Sequence, residues 1–321
     1  AYETETIRAF LDGHFADMLA SVVSHPVMLL YLDNVQSIGP NSQVGRRRGV
    51  GLNENLAREV LELHTLGVAG GYGQEDVQSL AKILTGWTVG DERLRRLRVE
   101  PGVFAFVPAM HEPGAFSLLG KEYSAHGVEQ GRRALRDLSR HPSTALHLAT
   151  KLVRHFVADD PPQKAIDQLA RVFAETDGHL PSVHKALVTL PEAWRGHARK
   201  LKTPHEYLVS AVRGLDLPLR GRTEFYLGPL GIMNHTPFSA PSPAGWPDTQ
   251  AHWGSPNALK QRIEWGIAVG RRLGNVRDVR DAVEWVVSPD ESARLLASIR
   301  RAASPTQGLS LLLASPDFQW R

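Results

Sequence analysis

Residues 51–87 read GLNENLAREVLELHTLGVAGGYGQEDVQSLAKILTGW, two periodic runs joined by a glycine-rich loop. On a helix wheel turned by about 100° per residue, Leu56, Ala57, Val60, Leu61 and Leu63 share one arc. Glu54, Asn55, Arg58, Glu59, Glu62 and Thr65 fill the other. An apolar stripe opposite a polar face specifies an amphipathic helix, here over 53–66, with a second over 74–86. These two runs set a helical reading for the whole chain.

The same spacing extends outward. Residues 4–32 read as two or three helices broken at Gly13 and at His25-Pro26, and a loop over 33–52 carries Arg46-Arg47-Arg48. Further helices are expected over 128–139, 142–157, 163–175, 181–190 and 203–214, with three or four more from about residue 255 onward. Only 94–110 reads as extended, with Glu100-Pro101-Gly102 as the turn of a small hairpin. The segment 234–255, NHTPFSAPSPAGWPDTQAHWGS, has proline and tryptophan but no periodicity, the mark of a functional loop or linker. The expected architecture is mainly α, a multi-helix globular protein with a small β-hairpin insertion. Residues 1–233 are expected to form the main helical domain, followed by the Pro/Trp-rich loop and by helices of 256–321 packing on that domain. The stretches 185–194 and 309–318 echo each other as an apolar helix ended by proline, an acid and an aromatic. A shared helix stop with a hydrophobic plug explains them better than a duplication.

At 321 residues the chain has room for one large or two ordinary domains, taking roughly 150 residues for each. Hydrophobic residues are 42% and charged residues 22%, the balance of a folded chain and not of a disordered one. The net charge, 37 − 34 = +3, is too small to argue for nucleic acid as a partner. With no cysteine, disulfides, thiolate nucleophiles and Cys-ligated zinc are excluded. The longest apolar run, 26–32 (PVMLLYL), falls far short of the roughly 18 residues a membrane span needs. The chain opens on alanine with no visible signal peptide, which is expected of a processed or trimmed product.

The 51–87 stretch resembles the family known as domain of unknown function 1800. The likeness continues in collinear order through His25-Pro26, Tyr31-Leu32-Asp33-Asn34, Gly39-Pro40-Asn41-Ser42, His111-Glu112-Pro113-Gly114 and Leu119-Gly120. It runs on through His141-Pro142-Ser143-Thr144-Ala145, residues 151–157 (KLVRHFV), 200–204 (LKTP after Lys200), 242–248 (SPAGWPD) and 313–318 (LASPDF). The resemblance implies an exported bacterial protein, periplasmic or secreted, whose possible partner is a co-exported sulfatase-like protein. It implies no settled activity. Two departures stand out: the family's further N-terminal segment is missing, and Gly73 replaces a threonine before the 74–86 helix, a poorer N-cap. That missing segment is a second possible partner, for the apolar N-terminal helices with Ile7, Phe10, Leu11, Phe15, Met18 and Leu19.

The acidic face of 53–66 is the leading candidate site. Glu54, Glu59 and Glu62 are expected as catalytic carboxylates, with Asn53, Asn55 and Arg58 binding substrate. The plainer account is a solvated face stitched by i,i+4 pairs, Glu54 to Arg58 and Arg58 to Glu62. Two asparagines in a helix favour a capping or binding role over that account. Glu59 and Glu62, about 60° apart, suit one divalent metal ion, the candidate cofactor. His64 lies about 160° from Glu62 and reads as a buried histidine bonded to a carbonyl or a neighbouring helix. The 142–157 helix carries the opposite charge, with His147, Lys151, Arg154 and His155 on one arc. Lys151, Arg154 and His155 are expected to bind an anionic ligand, and the two faces could line opposite walls of a cleft. His111 stands where a general acid or base could act, although a turn histidine is as common. Trp246 and Asp248 suit a sugar-stacking platform, although a tryptophan plug is the commoner use.

There is no G-x-S-x-G elbow, no Walker loop and no HExxH or EF-hand motif. The function expected is an extracytoplasmic hydrolase acting on a polymeric, polysaccharide-like substrate through carboxylate acid/base chemistry. The alternative is a non-enzymatic binding or assembly module for a co-exported partner.

Overall fold

The protein is described by a computed structural model covering residues 2–92, 99–124, 126–194, 200–216, 223–273, 279, 283, 286–287 and 289–321. Among the described residues it is mainly α, with two small antiparallel hairpins. Its contacts divide the chain into two units: unit 1 is Ala1–Val153 with Pro161–Ala193, and unit 2 is Arg154–Asp160 with Trp194–Arg321. The boundary expected at residue 233 thus lies inside unit 2.

Unit 1 opens with a π-helical Glu3–Ile7 and a 3-10 turn Arg8–Phe10, then α1 (Phe15–Ser24) and α2 (Pro26–Tyr31), broken where the sequence places its breaks. The 33–52 loop is more ordered than expected. Its arginines form the last turn of α3 (Gln43–Arg48), capped by the Ser42 hydroxyl and closed by left-handed Gly49. Then come α4 (Asn55–Glu59), a π-helical turn Val60–His64 and α5 (Gln74–Ile83). The expected hairpin pairs differently: β1 (Trp87–Val89) lies upstream of 94–110 and pairs with β2 (Phe104–Phe106) in the register Trp87 to Phe106. Residues 94–98 lie outside the described residues.

A second hairpin, unforeseen in the sequence, joins β3 (Phe116–Leu118) to β4 (Lys121–Tyr123). Its turn residues, Leu119 and Gly120, have φ of 52° and 74°, the left-handed pair a two-residue hairpin turn demands. Helices α6 (Val128–Ser139), α7 (Pro142–Phe156), α8 (Gln163–Glu175) and α9 (Leu180–Val188) follow. The core of unit 1 gathers Leu29, Leu56, Leu61, Leu80, Trp87 and Leu135, all nearly or wholly excluded from solvent.

Unit 2 contains α10 (Pro204–Gly214), α11 (Thr223–Ile232), α12 (Gln250–Trp253), α13 (Pro256–Leu273), α14 (Pro289–Arg300), α15 (Pro305–Ala314) and α16 (Pro316–Gln319). Helix α10 starts on a reciprocal capping box, Thr203 Oγ1 accepting from Glu206 N while Glu206 accepts from Thr203 N. Tyr207 is fully buried and its hydroxyl donates to the carbonyls of Leu313 (3.0 Å) and Arg262 (3.3 Å). Of the two echoed helix stops, only one is a plug. Phe318 is fully buried in the unit 2 core, whereas Trp194 is 77% exposed.

Candidate functional site

The acidic face divides into two parts. Asn53 Oδ1 accepts the backbone N–H of Asn55 at 2.9 Å, and its own N–H donates to Ser37 Oγ at 3.1 Å. Asn53 therefore opens the helix, the capping role its side chain favours, and Asn55 is exposed beside it. Glu54 is tied down: its Oε2 accepts from Arg58 Nη2 (3.1 Å) and from Gln74 Nε2 (2.7 Å), while Arg58 Nη2 also donates to Gln74 Oε1 (2.9 Å). This triangle fastens α4 to the first residue of α5.

Glu59 and Glu62 are different. Both are half-buried, and among the described residues neither carries a hydrogen bond or an ion pair. Burial raises the pKa of the Glu59 carboxyl and the neighbouring Glu62 charge raises it further, with Arg58 opposing. The Tyr72 phenol belongs to the same group. Its pKa is raised by burial and then by Glu62 and Glu59, again opposed by Arg58. Sequence reasoning missed Tyr72 because it sits in the glycine-rich loop, outside any periodic face.

The backbone changes type between the two carboxylates, from α over Asn55–Glu59 to π over Val60–His64. The wider π turn rephases the side chains. Thr65, on the polar arc of a regular helix, is instead fully buried, and its hydroxyl donates to Val60 O at 2.7 Å. Single π turns inside helices recur at functional sites. Among the described residues, no group of three or more His, Asp or Glu is placed to hold a metal ion.

The acidic segment and the basic helix meet inside unit 1 through imidazoles. His147 Nε2 bonds Leu63 O at 3.2 Å, the kind of carbonyl partner expected for His64. Gly67 makes that approach possible: its φ is +80°, and a Cβ there would lie 2.5 Å from His147 Nδ1. His64 is lowered to about 4, first by burial, then by Lys151 and His147. The His147 pKa is also lowered by burial, and Lys151 adds to this. Lys151 is exposed one turn further along α7.

The other expected binding residues belong to unit 2. Arg154 Nε donates to Asp159 O at 3.4 Å, and His155 Nδ1 pairs with Asp248 Oδ1 at 3.0 Å. The nearly buried Lys200 ammonium bonds Asp159 Oδ1 and the Asp248 carbonyl, and Asp159 Oδ2 accepts Gln250 N at 2.6 Å. Trp246 packs on His235 and Trp253. His111 is held in unit 1, its Nδ1 bonded to Thr85 O at 2.9 Å and its ring edge-on to Phe106. Next to it the buried Glu112 carboxylate accepts from Asn41 N (2.8 Å) and Asn41 Nδ2 (2.6 Å), a tie between two loops.

A cavity of about 340 Å³ in unit 1 is lined by Phe10, Ser21, Trp87, Phe104 and Arg132 among others, and none of the expected catalytic or binding residues lines it.

These features define a mainly helical protein with a carboxylate couple, unpaired among the described residues, beside a π turn. The chain belongs to the family described as "Protein of unknown function (DUF1800)", whose model matches residues 1–320. No curated protein and no solved structure matches it. Among the described residues, no helix is long and apolar enough to cross a membrane.

Proposed function

We propose that the protein is a hydrolase working outside the cytoplasm on a polymeric substrate, with polysaccharide the favoured class. The observation that carries this reading is the Glu59–Glu62 pair: two half-buried, unbonded carboxylates, one with its pKa raised by burial and by the other. Two carboxyl groups whose environments separate their proton affinities form an acid/base pair. In the proposed cycle, protonated Glu59 gives its proton to the leaving oxygen as the scissile bond breaks. Glu62 takes a proton from the attacking water as the new bond to oxygen forms, and exchange with solvent restores both groups. Arg58 tempers the Glu59 pKa, and Tyr72 and Lys151 bind.

Export and a sulfatase-like partner come from the family resemblance and are part of the proposal. Cell fractionation and co-purification test them.

The catalytic test is release of reducing ends from soluble polysaccharides. Glu59→Gln and Glu62→Gln are each expected to lower the rate by about 100-fold or more while leaving the melting temperature within a few degrees. Unchanged rates in both folded variants overturn the assignment.

A further inference from the structure

Unit 2 holds a concentration of rings that the acid/base reading leaves unused. Helix α10 supplies His205, α11 supplies Tyr226, the following loop His235 and Trp246, and α12 His252 and Trp253. The Tyr226 hydroxyl is bonded to His205 Nδ1 at 2.6 Å. The His205 ring lies 6.3 Å from His235, and His235 Nδ1 accepts the backbone N–H of His205 at 3.3 Å. His235 stands edge-on to Trp246 at 5.1 Å and leans on Trp253 at 4.8 Å, and the two indoles are 5.8 Å apart. His252 stands edge-on to Trp253 at 4.4 Å.

Exposure is graded across the cluster. Trp253 is buried and donates its indole N–H to Pro247 O at 2.7 Å, Trp246, Tyr226 and His235 are half-buried, and His205 and His252 are exposed. The loop also holds two non-glycine residues in the left-handed region, Asn234 (φ 55°) and Phe238 (φ 60°), and Phe238 is fully exposed. A bulky side chain in that conformation costs about 1 kcal/mol or more, and such strain concentrates at recognition loops.

The chemistry is that of a neutral polyhydroxylated ligand. An indole face takes the apolar C–H face of a pyranose ring, and imidazole and phenol groups exchange hydrogen bonds with its hydroxyls. His235 accepts at Nδ1, so its neutral form carries its proton on Nε2 as a donor. Burial, with His205 and His252 adding to it and Glu206 opposing, lowers the His235 pKa and so favours the neutral ring.

We propose that the Trp246, His235, His205 and Tyr226 surface of unit 2 binds neutral glycan chains. The ligand class rests on the polysaccharide reading above, but the site needs neither Glu59 nor Glu62.

Affinity gel electrophoresis in laminarin, hydroxyethylcellulose and dextran, with alginate as the anionic comparison, separates the two claims. Wild type is expected to be retarded by at least one neutral polymer. Trp246→Ala is expected to weaken that binding by about tenfold, Trp246→Phe to keep most of it, and Glu59→Gln and Glu62→Gln to bind as wild type. Retained binding in those two glutamine variants, whatever their activity, keeps the site independent of the hydrolase reading. Retardation by alginate alone, by none of the neutral polymers, or equally strong in a Trp246→Ala protein with native circular dichroism overturns the proposal.

Discussion

A neutral imidazole inside unit 1 couples stability to acid. His64 is lowered from 6.5 to about 4 by burial and by Lys151 and His147 across from it on α7. A base whose folded pKa is depressed contributes stability that is fully present above its unfolded pKa. That stability is lost as pH falls through the folded value, so the window runs from 6.5 down to about 4. Partial exposure screens the effect, leaving on the order of 2 kcal/mol. Chemical denaturation across this range is expected to show the decline, and His64→Gln to flatten it. Glu59 shifts the other way and its pKa can be followed by NMR of the carboxyl carbon. Removing the Glu62 charge with Glu62→Gln is expected to lower it, and removing the opposing cation with Arg58→Met to raise it. A Glu59 pKa that ignores both substitutions would remove the pair from the acid/base assignment.

At the scale of elements, the long helices were legible and the short or irregular pieces were not. Helices α6 and α8 are found where their apolar spacing puts them, since twelve or more residues repeat one period many times. Three-residue strands repeat nothing, so β1 escaped notice. The β3–β4 hairpin lacks the usual Asn-Gly signal because its left-handed first turn position is Leu119, which packs on the core instead. The π turn is invisible to a wheel that assumes one pitch, and with it went the true position of Thr65. The carboxylate pair and Trp246 could be read, but Tyr72 and the other rings of the unit 2 cluster could not, since they are scattered over 72 and 205–253 with no common spacing.

The contact of α13 with α15 has a consequence of the same scale. A Cβ at Gly270 would lie 2.3 Å from Ser310 Oγ and 2.6 Å from Thr306 O, so the two helices approach through its bare backbone. Gly270→Ala is expected to lower stability by about 1–3 kcal/mol through overpacking. At Gly231 of α11 a Cβ would meet only Thr236 Oγ1 at 3.7 Å, an ordinary contact, and Gly231→Ala is expected to raise stability by about 0.5–1 kcal/mol through helix propensity. Thermal melts of the two variants should move in opposite directions.

For the whole molecule, composition could not mark where one unit stops, because the division follows contacts and not chemistry along the chain. Residues 154–160 enter unit 2 from within a helix that belongs mostly to unit 1, so nothing in the sequence marks that entry, although Pro161-Pro162 stands where the chain goes back to unit 1. Unit 2 is closed by segments distant in sequence. Leu201 bridges to Trp320, the Lys202 ammonium donates to Phe318 O at 2.6 Å, and Arg321 pairs with Glu206 at 3.0 Å. Phe318 is the apolar centre of that closure: fully buried, 5.6 Å from the Tyr207 ring, with the Lys202 ammonium 4.4 Å from its own ring centroid. Phe318→Ala removes the ring from a packed site and is expected to cost about 3–5 kcal/mol. Loss of the anchor should release Tyr207 and the carbonyls its hydroxyl joins, so amide exchange in α10 and α15 is expected to accelerate. Phe318→Leu, which refills most of the volume, should recover the greater part of that protection. Equal exchange in wild type and Phe318→Ala would mean that the core of unit 2 holds without its last aromatic, and that the Lys202 and Arg321 ties alone close the unit.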